Sequence, residues 1–145
     1  MLPASLYALL RQPYTPSHPT AIVATVDADG APHTAPFGSL RAVGPSTLRF
    51  ACDRRHSTYA NLLRDERVMV CLIAPPDLAV SIFGRARTVK EAMEVMASDA
   101  VVEIQVEEVK DDFLPGAEIQ TSITLSVPEA LLEPMRKYIA EVEGV

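Results

Sequence analysis

Along most of the chain, short runs that alternate between apolar and polar residues, or are apolar throughout, are separated by turn-forming residues. Alternation with a period of two is typical of strands that bury one face and expose the other. The pattern predicts the strands Ala21–Asp27, Ala31–Leu40, Thr47–Cys52, Arg67–Ala74, Ala79–Val89, Val101–Lys110 and Glu118–Val127. About seven strands with short connections favour a mainly β protein built as an antiparallel barrel. A length of 145 residues favours a single domain, 1–145.

Glycine and proline residues add detail to these strands. Gly30 allows the positive φ of a tight hairpin turn between the first two strands. Pro32 and Pro36 cannot donate to a sheet ladder, so the second strand is expected at an edge or at bulges. Gly84 lies inside a predicted strand and indicates a bulge or a close approach of two backbones.

Helical spacing of apolar residues is confined to short segments. It predicts helices at Pro3–Arg11, Ser57–Arg64 and Glu129–Val145. Before the last of these, Ser126 and Glu129 have the spacing of a capping box. Pro134 is expected to break or kink the start of that helix, and Lys90–Ser98 is also compatible with a helix.

Charge and hydropathy restrict the partners that we expect. The chain has 13 Lys and Arg residues against 19 Asp and Glu residues, a formal net charge of −6. Binding to nucleic acid favours a basic surface, so nucleic acid is not an expected partner. No apolar run approaches the roughly 20 residues of a membrane span, and the first residues do not resemble a secretion signal. We therefore expect a cytoplasmic protein in which Cys52 and Cys71 remain reduced.

One segment, Phe50–Leu62, combines groups that can bind a phosphate. A strand ends near Cys52 and a helix begins at Ser57, where free backbone N–H groups and the helix dipole attract an anion. The hydroxyls of Ser57 and Thr58 can donate to phosphate oxygens. Between the strand and the helix, the loop adds two cations and an imidazole, those of Arg54, Arg55 and His56.

The same segment also has a simpler interpretation. Ser57 and Thr58 are common residues at a helix start, where they cap the backbone. Arginines in a loop are usually solvated, and Asp53 repels a phosphate unless it pairs with one of them. From these residues alone, phosphate binding and an ordinary helix start both remain open.

Other residues leave alternatives of the same kind. None of the three histidines has a second ligand at a metal-binding spacing, so no metal site is predicted. His33 either donates a proton within a cavity or lies at the surface of an edge strand. Cys52 is either a redox thiol or a small buried apolar residue. Arg85 and Arg87 share one face of a strand, where they either bind an anion or form ion pairs.

The order of these elements resembles the core of the pyridoxamine 5′-phosphate oxidase-like superfamily of FMN-binding split barrels. The resemblance extends over Ala21–Val89. It rests on four features in the family's order, namely the hairpin Ile22–Phe37, the strand–loop–helix Phe50–Leu62, the apolar strand Val68–Ile73 and the Gly84 strand. The resemblance implies a split antiparallel β-barrel, mainly β with small flanking helices.

The resemblance also implies which residues contact FMN. These are Pro36, Phe37, Gly38, Ala51, Cys52, Arg54, Arg55, His56, Ser57, Thr58, Asn61 and Ser81. Pro36, Phe37 and Gly38 would lie along the flavin ring, and Ala51 and Cys52 would border the ribityl chain. The loop and helix residues would hold the phosphate. Ser81 would approach a flavin bound mainly by the other subunit, which implies a homodimer with its sites at the interface.

Some positions differ from those of the vitamin B6 oxidases. Ser57 and Thr58 stand where those enzymes have an Arg-Lys pair for the phosphate. Ala79 and Ser81 stand where they have a Gln and an Arg on the later strand. The Trp and the Arg–His motif of their C-terminal substrate-binding segment have no counterpart, since the chain contains no Trp. Oxidation of pyridoxamine phosphate is therefore not expected.

The expected function is that of an FMN-binding oxidoreductase that acts on a small-molecule substrate. The cofactor would perform the hydride or electron transfer, so no side chain need act as an acid or base. Two alternatives remain on the same barrel. One is a reductase that uses the deazaflavin F420, and the other is a non-catalytic protein that binds flavin or haem.

Overall fold

A computed structural model describes residues 1–145. Its strands are β1 (Ala21–Val26), β2 (Pro32–Phe37), β3 (Arg41–Gly44), β4 (Thr47–Asp53), β5 (Arg67–Ala74), β6 (Leu78–Lys90) and β7 (Asp99–Asp111). The helices are α1 (Ala4–Leu9), α2 (Ser57–Arg64) and α3 (Glu129–Gly144). None of these helices has both the length and the apolar character needed to cross a membrane.

The strands form one antiparallel sheet in the order β2-β1-β5-β6-β7-β4-β3. The strands β5, β6 and β7 follow one another in the chain and in the sheet. In contrast, β4 pairs with β7, with Phe50 opposite Val102. This pairing separates β4 from β5, and α2 connects the two strands across the sheet.

The inward faces of the strands pack with residues of the N-terminal segment and α2 in a core of 22 buried residues. The alternation is clearest in β5, where Val68, Val70 and Leu72 are buried and Met69 and Ile73 are exposed. Burial of one such side chain contributes about 1.5–3 kcal/mol relative to its exposure. Because successive side chains point to opposite faces, the alternation fixes which residues of each strand face outward.

Gly84 allows β6 and β7 to approach each other closely. A Cβ atom at this position would lie 2.4 Å from the carbonyl oxygen of Gln105 and 2.8 Å from Cγ2 of Ile104. The register between β6 and β7 shifts between Phe83 and Gly84, which marks a β-bulge. The predicted bulge and close approach are both confirmed.

The edge strands β2 and β3 share no ladder, so backbone hydrogen bonds do not close the sheet. Pro32 and Pro36 lie exposed on β2, in agreement with the predicted edge position. Side chains instead connect the end of β2 to β4. Oγ of Ser39 accepts the N–H of Ala51 at 2.9 Å. The fold is the split barrel that the resemblance implied.

Two arginines that face each other across β3 and β4 anchor both ends of the chain. The side chain of Arg41 is buried; its guanidinium donates to the carbonyl of Gln12 and lies 3.5 Å from the carboxylate of Glu143. Arg49 donates to the carbonyl of Glu143 at 2.9 Å and pairs with Glu103 at 3.0 Å. The last turn of α3, where the helix dipole is negative, thus packs on this pair of cations.

The prediction of a strand at Glu118–Val127 is wrong. This segment lies outside the sheet, and Ser122 and Ile123 line one side of a groove on the outward face of β1 and β5. Both edges of β1 and of β5 are already paired, so the segment finds no ladder to join. Apart from Ile119, Ser122 and Val127 its residues are exposed, so the alternation does not produce a buried face.

Other predicted boundaries also change. The predicted strand Ala31–Leu40 ends at Phe37, and the separate strand β3, which the pattern missed, follows it. The segment Lys90–Ser98 contains turns and bends and no helix. At α3, Pro128 occupies the N-cap position without a side-chain cap, and the helix continues through Pro134 to its end.

Replacement of Gly84 tests the close approach of β6 and β7. We expect Gly84→Ala to lower the free energy of unfolding by about 2–3 kcal/mol, because a backbone carbonyl must move to admit the new methyl group. Urea denaturation measures the change. Gly144→Ala is the matched control, since its Cβ would meet nothing within 4 Å. A loss at Gly84 no larger than that at Gly144 would contradict the assignment.

Candidate functional site

The imidazole of His56 organises the start of α2. Its Nδ1 accepts the backbone N–H of Thr58 at 3.1 Å, which makes His56 the N-cap residue. A neutral imidazole has one donor and one acceptor nitrogen, so this hydrogen bond assigns the proton to Nε2. The helix start therefore presents a side-chain N–H donor beside its backbone donors.

The two hydroxyl groups at the start of α2 differ in exposure. Ser57 is exposed, and as the first helical residue its N–H has no partner within the helix. Thr58 is fully buried, and its Oγ1 has no hydrogen-bond partner in the chain. An unpaired buried hydroxyl costs about 1–3 kcal/mol, and nothing within the chain compensates this cost.

Aromatic rings connect the start of α2 to the end of β2. The ring centroid of His56 lies 5.8 Å from that of Phe37 and 6.1 Å from that of His33. Pro36 and Gly38 are exposed, and a Cβ at Gly38 would meet nothing within 4 Å. The backbone at the end of β2 therefore borders open space near the imidazole of His56.

Asn61 connects α2 to β1. Its Nδ2 donates to Oγ1 of Thr25 at 3.0 Å and to Oδ1 of Asp27 at 2.8 Å, and its Oδ1 accepts from Arg64. The carboxylate of Asp27 also lies 3.9 Å from Nδ1 of His33. The other ring nitrogen of His33, Nε2, is buried without a partner. Asn61 is thus held by protein partners, and the region contains a second buried polar atom without one.

In β4, Ala51 and Cys52 face opposite sides of the sheet. Ala51 packs outward in a small cluster with Met93 and with Val142 of α3. Cys52 belongs to the inward core, where burial, with a further contribution from the charge of Asp99, raises the pKa of its thiol to about 12. A thiol of this kind is protonated and unreactive near neutral pH. This result favours the interpretation of Cys52 as a small buried apolar residue.

Protein groups already engage both arginines of the β4–α2 loop. The guanidinium of Arg54 donates to the carbonyl of Glu91 at 2.6 Å and to that of Asp99 at 3.4 Å. Nη2 of Arg55 donates to the carboxylate of Asp53 at 2.6 Å, and Nε does so at 3.0 Å. Asp53 is therefore paired with an arginine, which is the condition expected from the sequence for a phosphate beside it.

Ser81 lies on the outward face of the sheet, three strands away from β2. The register places Pro36, Ile22, Cys71 and Ser81 in one row across β2, β1, β5 and β6. The hydroxyl of Ser81 donates to the carboxylate of Asp112. Within one chain, Ser81 shares a sheet face with Pro36 and does not reach the start of α2.

A cavity of about 570 Å³ lies between the C-terminal half of α2 and β6. Arginines line it, and three of them are neutralised by carboxylates in the pairs Arg67–Asp65, Arg85–Glu66 and Arg87–Glu103, at 2.7–2.8 Å. Ion pairing therefore accounts for Arg85 and Arg87. The structure contains no group of three or more His, Cys, Asp or Glu side chains that could hold a metal ion.

The model of the pyridoxamine 5′-phosphate oxidase family matches residues 11–117, which is more than half of the chain. The chain belongs to this family. The resemblance seen between Ala21 and Val89 is thereby confirmed. A search of curated protein sequences finds no match.

Three solved structures illustrate the shared fold. HupZ from Group A Streptococcus is 20% identical, with a TM-score of 0.60 over 81% of this chain and 98% of HupZ. A protein named F420 reductase is 14% identical, with a TM-score of 0.61 over 77% of this chain and 100% of that protein. An FMN-binding protein from Syntrophomonas wolfei is 14% identical, with a TM-score of 0.58 over 76% and 88%. At these identities the likeness concerns the fold.

The structure brings together only part of the predicted set. The backbone at Pro36–Gly38, the imidazole of His56 and the start of α2 adjoin one another. The side chain of Arg54 contacts the β6–β7 loop, and Ser81 lies elsewhere on the sheet. Sequence reasoning missed Ser39, because its contact with β4 depends on the register of distant strands and no motif marks it.

Thiol reactivity tests the burial of Cys52. In the variant Cys71→Ser, we expect the remaining thiol to be inert toward a disulfide reagent at pH 8, because burial holds the pKa of Cys52 at about 12. The colour released by the reagent measures the reaction. The same variant in guanidinium chloride should release one equivalent. A fast reaction of the native variant would contradict the buried position.

Proposed function

We propose that the chain binds FMN non-covalently and acts as a flavin-dependent oxidoreductase on a small-molecule substrate. One observation carries the proposal: hydrogen-bond donors of the kind that bind phosphate lie at the start of α2, next to an open stretch of β2. Membership of the family supports it, as does the similar fold of a protein named as FMN-binding.

In the proposed complex, the phosphate lies at the start of α2. The N–H and hydroxyl of Ser57 donate to it, together with Nε2–H of His56, and the helix dipole adds attraction. The buried hydroxyl of Thr58 fits such a ligand, because a phosphate oxygen would provide the acceptor that the chain lacks. Arg54 and Arg55 lie on the adjoining loop, and both are exposed to solvent.

The flavin ring is proposed to lie along the backbone of Pro36–Gly38, with its ribityl chain toward Ala51 and Cys52. Asn61 acts indirectly, since its bonds to β1 hold α2 in place. Nε2 of His33, which has no partner in the chain, is available to a polar atom of the ligand. When bound, the flavin supplies the hydride or electron transfer, and the residues named here bind it, orient it and exclude water.

We further propose a homodimer that forms through the outward face of β1, β5 and β6. On this face Met69 and Ile73 are 43% and 50% exposed. Ile22 and Cys71 lie half-buried in the groove that Ser122 and Ile123 also line, and Ile123 adds its own exposed side chain to the patch. A contiguous apolar patch on a sheet face is typical of the centre of a protein interface. Ser81 belongs to the same face, so in this dimer it would approach the flavin of the other subunit.

A reductase that uses F420 is the second candidate, because a protein named F420 reductase shares the fold with a TM-score of 0.61. The anionic tail of F420 requires additional cations. Here Arg54 and Arg55 already have protein partners, and the net charge is −6. These charges favour FMN. A non-catalytic role in binding flavin or haem differs from both candidates by the absence of turnover.

Titration with FMN tests the proposed function. We expect quenching of flavin fluorescence that saturates at one FMN per subunit, together with flavin bands in the absorbance spectrum. Ser57→Ala should weaken binding about tenfold, because one hydrogen bond to a charged group is lost. Ser5→Ala on α1 is the control and should bind as the unmodified protein does. Absence of saturable binding would refute FMN and direct the same assay to F420 and haem.

A charge on the outward face of β5 tests the proposed dimer. We expect Ile73→Glu to shift the mass in solution from dimer to monomer, because the interface would bury an unpaired carboxylate. Light scattering after size-exclusion chromatography measures this mass. Leu63→Glu on α2 is the control, since Leu63 is also an exposed apolar residue but lies off this face, and it should leave the mass unchanged. An unmodified protein that is monomeric at micromolar concentration would contradict the dimer.

A further inference from the structure

We propose that Asp53 limits the affinity of the site for a phosphate monoester, because its carboxylate occupies the arginine that a phosphate would recruit. The inference rests on the proposed flavin site and adds a residue that sets its specificity. Asp53 would determine how strongly the protein distinguishes FMN from riboflavin, which has the same ring and ribityl chain but no phosphate.

The carboxylate of Asp53 makes the contacts with Arg55 that a bound phosphate would make. Its Oδ1 accepts the backbone N–H of Arg55 at 2.8 Å and Nε at 3.0 Å, and its Oδ2 accepts Nη2 at 2.6 Å. A guanidinium fork combined with a backbone N–H is a common way to hold phosphate as well as carboxylate. The backbone carbonyl of Asp53 also accepts the N–H of His56, so this pair adjoins the cap of α2.

No other cation of the loop replaces Arg55. The guanidinium of Arg54 is bound to carbonyls of the β6–β7 loop, and its backbone N–H donates to Ser98 at 3.0 Å. Asp99 lies directly opposite Asp53 in the pairing of β4 with β7 and adds a second carboxylate. Two guanidinium groups are therefore balanced by two carboxylates, and the loop carries no net positive charge for a phosphate.

The carboxylate of Asp53 remains ionised. Hydrogen bonds from Arg55 hold its pKa well below the usual range of an aspartate. A phosphate at the start of α2 must either displace this carboxylate from Arg55 or lie close to a like charge. Arg55 is exposed, and exposed ion pairs are weak, so displacement lowers the affinity without preventing binding. Bound FMN is therefore expected to dissociate readily and to exchange with free FMN in solution.

The variant Asp53→Asn tests this role. An asparagine keeps an oxygen for the backbone N–H of Arg55 but removes the charge and frees the guanidinium. We expect the dissociation constant of FMN to fall about tenfold, while that of riboflavin changes less than twofold. Both are measured by fluorescence titration at about 0.1 M salt, where charges beyond about 10 Å are screened.

Asp65 provides a matched control within the same chain. It forms the same set of hydrogen bonds with Arg67 that Asp53 forms with Arg55. Oδ1 of Asp65 accepts the backbone N–H of Arg67 at 3.1 Å, and Oδ2 accepts Nη2 at 2.7 Å. It lies at the other end of α2, about 12 Å away for a helix of eight residues. Asp65→Asn changes the net charge by the same amount, and we expect it to change FMN affinity less than twofold.

The outcomes separate this inference from the proposed function. Tighter FMN binding in Asp53→Asn alone, with riboflavin unchanged, supports the inference. Equal gains in both variants would reveal a general charge effect, and parallel changes for FMN and riboflavin would reveal a structural role of the loop; either overturns it.

If the unmodified protein binds FMN and Asp53→Asn does not improve the ratio of the two flavins, the inference alone fails. If none of the three proteins binds either flavin, the proposed function fails as well. Circular dichroism checks the fold of each variant. Should Asp53→Asn not fold, Asp53→Ser enters the same comparison, since its hydroxyl can also accept the N–H of Arg55.

Discussion

The guanidinium group of Arg41 is buried directly across the sheet from that of Arg49, and two cations in this position require negative partners. Glu103 of β7 pairs with Arg49, and the other partners come from the two ends of the chain. They are the carbonyl of Gln12 before β1, and the carboxylate and carbonyl of Glu143 in the last turn of α3. Loss of a partner from a buried ion pair typically costs about 3–5 kcal/mol. The two arginines therefore fix the position of α3 on the outward side of β3 and β4.

From α3 the constraint extends to the candidate site. Glu141 of α3 accepts the N–H groups of Glu94 and Val95 at 2.7 and 2.9 Å, so the helix holds the β6–β7 loop. Carbonyls at the two ends of that loop bind the guanidinium of Arg54. Both arginines of the β4–α2 loop are exposed, but this arrangement commits Arg54 to backbone carbonyls and leaves Arg55 paired with Asp53. Contacts at the C-terminal end of the chain thus influence the charge available at the start of α2.

Alternation predicted most strands because inward and outward residues differ in polarity. Glu118–Val127 alternates as regularly and forms no strand, because alternation alone does not provide a neighbouring strand with free N–H and C=O groups. In the site, the order of strand, loop and helix placed His56 and Ser57 at the start of α2. The capping bond of His56, the contact of Ser39 and the direction of Arg54 could not be predicted. Each depends on side-chain geometry or on the proximity of distant residues.

The prolines of β2 restrict how copies of the chain can associate. A free sheet edge accepts an added strand when it offers a regular series of N–H and C=O groups. Pro32 and Pro36 have no N–H, so this six-residue edge lacks two of the donors that a strand from another molecule would need. Edge-to-edge extension, which leads to fibrous aggregates, is therefore disfavoured at β2. The prolines thus keep this edge of the sheet from serving as a template for a strand of another copy.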